Sequence, residues 1–593
     1  MTRALVLLLL LAAPALAAEQ SSGPADRVYL NGVVFTADAR DSAASALAIR
    51  NGRILDVGSD AALARYIGPA TTKVDLQGRF LMPGLVDGHM HPVEAGGTLL
   101  KCNLHYASLT VEEMQRGIAT CVEQTRASEP DGWLEVVSWF QENMRPAGVK
   151  TNRAALDALN TKRPIIVRSS FGHTVLANSR ALKLAKITAA TPDPVGGKIW
   201  RDAAGEPTGL LEDAAHHVFD SLIPKPTAAQ DVEAAAKALD AMRRQGVTSF
   251  LDASAAREDV AAFATLRKAG RLTARAHFAP LIKPTEVNDL TAAVARVVAF
   301  RKEFDEGPIA RAPSITVRNA KLFLDGVISA PAFTGAMLEP YWRNAGTAEK
   351  PHWVPGTSRG PDVYFPADAL ATVLIALGRA GIDPHMHADG DGAVRAGLDG
   401  AAALRKALPT ADIRPAIAHN EIVGPADFKR YAALTVIPVL SFQWEKPAGD
   451  TLGIKDYFGP QRMKIVEPAG YLAQAGARIA FGSDWPVDAL DQWFAFKVGV
   501  TRTNAPEAPA EYRGRLGDDP GLSRETVLRA ATINAAYELH QDEATGSLEA
   551  GKLADLIVLD RNPLTVPAEE IARTKVLETV VGGAVVYTTL VKP

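Results

Sequence analysis

Two histidines one residue apart, His89 and His91, stand in the stretch LMPGLVDGHMHP, residues 81–92, where an apolar run from Phe80 to Val86 gives way to polar residues. The run reads as a short buried strand. On extended backbone alternate side chains share a face, so both imidazoles point the same way, close enough to grip one metal ion. Taken alone, an H-x-H also describes two polar loop histidines. Further residues of ligand type stand at the ends of later apolar stretches: Lys321, His387, His419 and Asp484. Two of these also have a plainer reading, Lys321 as an exposed lysine and Asp484 as the start of a turn ahead of Pro486. His385 shares a strand face with His387 and is a rival ligand. Brought to one place, these side chains would hold divalent metal, and such a site activates water for hydrolysis.

Convergence requires a scaffold that gathers strand ends. Apolar strands alternate with Ala- and Leu-rich helical stretches in GVTSFLDAS (246–254), RLTARAHFAPLI (271–282), SITVRNAKLFLDG (314–326), GIDPHMHADGD (381–391), RPAIAHNE (414–421), TVIPVLSFQ (435–443) and ARIAFGSDWP (477–486). With the strand before His89 that makes eight βα units. Eight such units fit a closed α/β barrel of the (β/α)8 TIM type better than an open Rossmann sheet, and no G-x-G-x-x-G follows the first strand. In such a barrel functional residues collect at the C-terminal strand ends, where these residues lie.

Both ends of the chain have a different texture. Residues 28–36, 46–59 and 72–80 read as strands with Asn-Gly turns at Asn31-Gly32 and Asn51-Gly52, and residues 546–560 and 576–589 read likewise. Neither end closes a core alone, so the two are expected to pair into one discontinuous β-sandwich, 26–80 with 546–593, around a barrel of 81–545. An insertion at 130–215 interrupts the barrel rhythm. Residues 334–366, rich in Pro, Gly, Trp and Tyr, read as a long loop over the barrel mouth.

Bulk properties narrow the partners. The 593 residues carry a formal charge of −3 and a pI near 6.5, so nothing electrostatic favours nucleic acid, and a small-molecule substrate is expected. The sequence is compatible with a homo-oligomer. Only Cys102 and Cys121 occur, which excludes a cysteine zinc site; the two could pair or lie buried as separate thiols. At the N-terminus Arg3, the apolar run Ala4 to Ala13, Pro14 and an A-x-A at Ala15 and Ala17 have the order of a signal peptide, residues 1–17, cut before Ala18. The run is too short to span a bilayer, and no later stretch reaches spanning length. A periplasmic or secreted protein is expected.

Taken in order, PGLVDGHMHP, FGHTVLANSRAL (171–182), GEPTGLLEDAA (205–215), KLFLDG (321–326), HADGDGAV (387–394), GSDWPV (482–487) and GSLEAGKLADLIVLD (546–560) resemble the amidohydrolase superfamily. The closer match is to its third amidohydrolase family, which contains N-substituted formamide deformylases. The resemblance runs from about Val28 to Tyr587. It implies one or two divalent ions, zinc first and manganese or iron as alternatives, with His89 and His91 on the more buried one and His387 and His419 on the other. It also implies Lys321 as an N6-carboxylated lysine bridging the ions, since a protonated amine cannot ligate. Asp484 would bind metal or its water and act as the catalytic proton shuttle. His173 corresponds to a family histidine that approaches the substrate from the inserted domain, although a packed structural histidine fits the sequence equally.

Two features depart from or qualify the pattern. The family commonly has a glutamate just before the histidine that here is His419, whereas this chain has Ala418, with Glu421 two positions after. Asp391 reads as a structural acid rather than a ligand. The expected activity is hydrolysis of a carbon–nitrogen bond, other than a peptide bond, in a small amide-type substrate by metal-activated hydroxide. Deamination or ester or lactone hydrolysis on the same site is the alternative within enzymes, and a non-catalytic periplasmic metal- or solute-binding protein the alternative outside them. N-terminal sequencing of the native protein is expected to start near Ala18; an intact Met1 would count against export.

Overall fold

The computed structural model describes residues 23–40, 42–141, 144–146, 149–170, 172, 174–194, 197–329, 332–347 and 349–590. The leader at 1–17 and His173 lie outside the described residues. Eight parallel strands form the centre. A four-stranded sheet contains Leu85–Met90, Val247–Ala255, Arg275–Pro280 and Ile315–Thr316, and a five-stranded sheet runs Asn319–Phe323, Asp383–Ala388, Ala416–His419, Ile437–Leu440 and Ala480–Phe481. The two join through a parallel bridge of Leu281 to Lys321, with the Ile282 N–H donating to the Lys321 carbonyl at 2.9 Å. On the other side the Asp484 N–H donates to the His89 carbonyl at 2.8 Å, and the His91 N–H donates to the Trp485 carbonyl at 2.8 Å. A strand kinked between Thr316 and Asn319 serves both sheets, so the barrel has eight staves.

These strands are buried along nearly their whole length, as expected where helices cover the outside and side chains fill the inside. The covering helices owe their ends to local chemistry. Ala228–Gln245 starts at Thr227, whose hydroxyl accepts from Gln230 N–H while Gln230 reaches back, and stops at left-handed Gly246. Its Ala234, Ala235, Ala238, Leu239 and Met242 face the barrel.

The chain ends combine as expected from their texture, with two differences in detail. Leu556–Leu559 lies antiparallel to Phe80–Pro83 in a six-stranded sheet, and Arg27–Leu30, Ala46–Arg50, Arg53–Gly58 and Thr72–Asp75 form the facing four-stranded sheet. The apolar run from Phe80 is therefore not one strand. Phe80–Pro83 belongs to the sandwich and Leu85–Met90 to the barrel, so the sandwich reaches past residue 80. Asn31-Gly32 likewise makes no hairpin: it carries the chain from Arg27–Leu30 in one sheet to Val33–Phe35 in the other. Asn51-Gly52, both at positive φ, does make the tight turn between Ala46–Arg50 and Arg53–Gly58.

The insertion starts earlier than residue 130. Its six-stranded mixed sheet runs from Cys102–Asn103 at one edge to Gly197–Arg201 at the other, and Val111–Thr125 packs on it through Met114, Ile118 and Val122. The sequence hid this start because Cys102–Asn103 is only two residues long. Residues 334–366 carry a small hairpin, Trp342–Asn344 with Trp353–Pro355, whose Trp353 packs edge-on against Tyr457 at 4.8 Å. No helix among the described residues is long and apolar enough to cross a membrane.

Cys102 and Cys121 form a disulfide that ties the edge strand of the insertion to its helix. Closing a loop of this size stabilises a domain by about 3 kcal/mol in the chain-entropy account. Thiol titration of the denatured, unreduced protein is expected to find no free thiol, and Cys121→Ser to lower the insertion's resistance to heat and proteolysis. Two titratable thiols in the native protein would refute the bridge.

Candidate active site

Four strand ends and two loops deliver the site. His89 ends Leu85–Met90 and His91 follows it; Lys321 lies in Asn319–Phe323, His387 in Asp383–Ala388, His419 at the end of Ala416–His419, and Asp484 three residues beyond Ala480–Phe481. All line one cavity of about 390 Å³, within the size range of small-molecule sites. Its walls are mostly apolar, with Phe323, Val327, Trp444, Ile454, Val466 and Val487.

Asp484 is the centre of the group. Its Oδ1 lies 3.2 Å from His91 Nε2 and 3.4 Å from His89 Nε2, and its Oδ2 lies 3.9 Å from His419 Nδ1. Oδ1 nevertheless makes no hydrogen bond among the described residues. Lys321 Nζ stands 3.5 Å from His89 Nε2. The ligand atoms of His89, His419 and Asp484 lie within 4.8 Å of one another, as do those of His387, Asp389 and His419. A buried carboxylate oxygen without a hydrogen, facing imidazole nitrogens at these distances, is what a divalent ion needs. The donor set therefore fits one or two such ions. His387 uses Nε2 on the Gly326 carbonyl at 2.9 Å, which leaves its Nδ1 as the free lone pair.

Backbone strain marks the same places. His419, Asn420 and Asp484 have φ of 76°, 59° and 51°, a region that costs non-glycine residues about 1 kcal/mol or more. Asn420 is held there by its own contacts, donating its side-chain amide to the Ile417 carbonyl at 2.7 Å and accepting from Tyr431. Gly482 allows the last stave to come close, since a Cβ there would meet the Cβ of His89 at 2.5 Å.

Burial sets the protonation. It pushes the His387 imidazole down to about 4, with Lys321 adding to the effect, and drives His89 and His419 well below their ordinary value. Those three imidazoles are neutral at neutral pH, the form that can offer a lone pair to metal. Burial works the same way on His91, but Asp484 and Asp252 outweigh it and raise that imidazole. For Asp484 burial works upward, yet His91, His419 and Lys321 together hold it below the usual carboxylate range. Burial lowers the Lys321 amine to about 8, well below the usual lysine range, against the pull of Asp484, Asp389 and Asp252.

Asp252, Asp389 and Trp444, which the sequence did not single out, also belong here. Asp252, at the C-terminal end of the second stave, lies 4.0 Å from His91 Nδ1 and is pushed by burial to about 7. Its place at the end of an apolar strand, FLDAS, was the available signal. Asp389, two residues after His387 in the same motif, lies 3.5 Å from His387 Nε2. Trp444 stacks on His419 with ring centres 5.7 Å apart. Asp391 accepts the Leu338 N–H at 2.8 Å, so it anchors the loop after Lys321. His385 is not in the cavity lining; it stands behind His89, its Nε2 2.7 Å from His89 Nδ1, because it lies deeper in the stave than His387. From the insertion, Ser169 and Thr174 reach the cavity wall, while none of the described residues of 334–366 lines it.

A barrel with histidine, lysine and aspartate at its strand ends defines a metal-dependent hydrolase of the amidohydrolase superfamily. The sequence matches the Amidohydrolase family over residues 72–587, and the chain belongs to that family: it is an amidohydrolase, a hydrolase of carbon–nitrogen bonds other than peptide bonds. Among relatives, it is 28% identical to "Protein LONG AFTER FAR-RED 3" of Arabidopsis thaliana, covering 95% of this chain and 92% of that protein. It is 25% identical to an N-substituted formamide deformylase of Arthrobacter pascens, over 95% of this chain and 98% of that one. A solved structure of an uncharacterized metal-dependent hydrolase from Pyrococcus furiosus has the same fold, with a TM-score of 0.65 at 23% identity over 91% of this chain and 100% of its own.

Proposed function

We propose that this amidohydrolase cleaves a small amide-type substrate, of the kind that a formamide or N-acyl amine represents, in the cavity over Asp484. The observation that carries the reading is the placement of His89, His91 and His419 around an Asp484 carboxylate at 3.2 to 3.9 Å. Support comes from the relative named as a formamide deformylase, aligned over nearly the whole chain. Divalent metal held by these side chains, zinc by preference given the histidines, supplies Lewis acidity toward the carbonyl oxygen and a water acidic enough to react at neutral pH.

The chain's own residues do the rest. Asp484, kept ionised by its neighbours, accepts the proton of the attacking water and returns it to the departing nitrogen. Trp444, Phe323, Ile454 and Val466 shield the reacting carbonyl from bulk water. Ser169 and Thr174 offer hydroxyls from the insertion to fix the substrate's far end. Lys321, its amine lowered by burial, would become a ligand by adding carbon dioxide with loss of a proton, offering carboxylate oxygens to divalent metal where an ammonium could not. Export to an oxidising compartment fits the Cys102–Cys121 bridge and the leader pattern.

Screening the purified protein against N-acyl amino acids, formamides, cyclic ureas and lactones is expected to find amide hydrolysis dependent on divalent metal. Turnover confined to the lactones, or none with metal loaded, would sink the reading. Lys321→Ala is expected to lower metal content and rate together, with partial rescue by short carboxylic acids. Full metal and rate in that variant would make Lys321 an ordinary buried lysine. Asp484→Asn keeps shape and a weak oxygen ligand, so it is expected to retain much of its metal while kcat falls about a hundred- to ten-thousand-fold. His387→Ala, by contrast, is expected to lose metal as well. Near-native turnover in Asp484→Asn would move the proton transfer elsewhere.

A further inference from the structure

Behind the cavity a second line of polar side chains runs into the core. His89 Nδ1 lies 2.7 Å from His385 Nε2, and His385 Nδ1 lies 3.1 Å from Glu538 Oε1. His385 and Glu538 have no exposed side-chain surface. Neither His385 Nδ1 nor either Glu538 oxygen has any other polar partner among the described residues, so at 3.1 Å they have only each other. Glu538 comes from Ala535–Glu538, a short helix that follows the last stave and seals the barrel floor, 149 positions after the residues of the cavity motif at Asp389 if counted along the chain. The backbone makes room for it: a Cβ on Gly88, one residue before His89, would collide with Glu538 Oε2.

A buried acid is costly unless something uses its charge. Burial, with Asp87 and Asp383 nearby, pushes the Glu538 carboxyl up, so its ionised form calls for positive charge further along the line. Proton placement shows what the line does. With Glu538 ionised, the state that a cation held at the far end of the line would favour, it accepts only, so the neutral His385 beside it would carry its proton on Nδ1 and offer a bare Nε2. His89 must then donate from Nδ1, and its Nε2 lone pair is left facing Asp484 at 3.4 Å. The opposite tautomer of His89 would aim an N–H at the metal position and could not ligate. A divalent ion on Nε2 would in turn provide the positive charge that the carboxylate lacks.

We infer that Glu538 and His385 are positioning residues for the metal centre, acting in series to hold His89 in its metal-binding tautomer and orientation. The inference rests on the metal-dependent reading above. It reaches further by assigning a role to two residues that touch neither substrate nor metal.

The test measures zinc affinity by competition with a chromogenic chelator, and the thermal midpoint of the metal-free protein, for the native chain, Glu538→Gln, His385→Gln and the double variant. Removing such an outer partner typically weakens metal binding about 10- to 100-fold. Each single variant is expected to show a loss of that size with its metal-free midpoint close to the native one. In the double variant the loss is expected to be no larger than in the worse single, because the two act through one another. Glu538→Asp, which keeps the charge on a shorter arm, is expected to recover part of the affinity and serves if Glu538→Gln fails to fold. Native affinity in the folded single variants, or losses that add in the double, would overturn the inference, as would a fall in the metal-free midpoint large enough to account for the whole effect. A native protein that binds no zinc would instead remove the metal-dependent reading itself, a result distinct from tight binding that the variants leave untouched.

Discussion

The hydrogen bond from the Asp484 N–H to the His89 carbonyl, 2.8 Å long, joins the last stave of the barrel to the first. The last stave proper, Ala480–Phe481, is only two residues long, so closure depends on the residues just after it. Ser483 N–H donates to Asp87 Oδ1 at 3.0 Å, Gln492 donates its side-chain amide to Asp87 Oδ2 at 2.9 Å, and His91 N–H donates to the Trp485 carbonyl. The same backbone bonds bring the Asp484 carboxylate among the imidazoles. Barrel closure and site assembly are thus one event, and local opening at this seam would separate the ligands from their acid.

Charge gives the site its second constraint. Imidazoles, an amine and several carboxylates are packed where water cannot solvate them, so each adjusts its protonation to its neighbours. Asp325 illustrates this on the far side of the cavity: burial pushes it to about 7, while it accepts N–H groups from Ala336, Asp389 and Gly390 at 2.9 to 3.0 Å. It thereby pins the turn that carries Asp389 beneath the loop that follows Lys321. Divalent charge would relieve the neighbouring acids, which couples metal binding to the stability of the whole strand-end layer.

Around this fixed floor the walls come from less regular segments. Ser169 and Thr174 belong to the insertion, Val327 and Ser329 to the loop after Lys321, and Thr451, Ile454 and Val466 to the excursion between the last two staves. Tyr106, from the insertion, donates to the Pro486 carbonyl at 2.8 Å and so ties that module to the segment carrying Asp484. Substrate choice therefore resides in parts that a barrel tolerates changing.

By itself the sequence was enough to expect the barrel and the paired ends, because strand periodicity is local and survives without coordinates, and to offer His89, His91, Lys321, His387, His419 and Asp484 as candidates whose roles came from the family resemblance. It could not separate Phe80–Pro83 from Leu85–Met90, since both are apolar and only their pairing partners distinguish them. Nor could it place His385, which has the same alternation as His387 but one step deeper, where it meets His89 and not the cavity. Glu538 had no signal at all in an alanine-rich helix. Its role exists only because the floor helix and the first stave, far apart in sequence, are packed so closely that Gly88 has no room for a side chain. Contacts between distant segments are decided by tertiary packing, and those contacts set which nitrogen of His89 carries its proton.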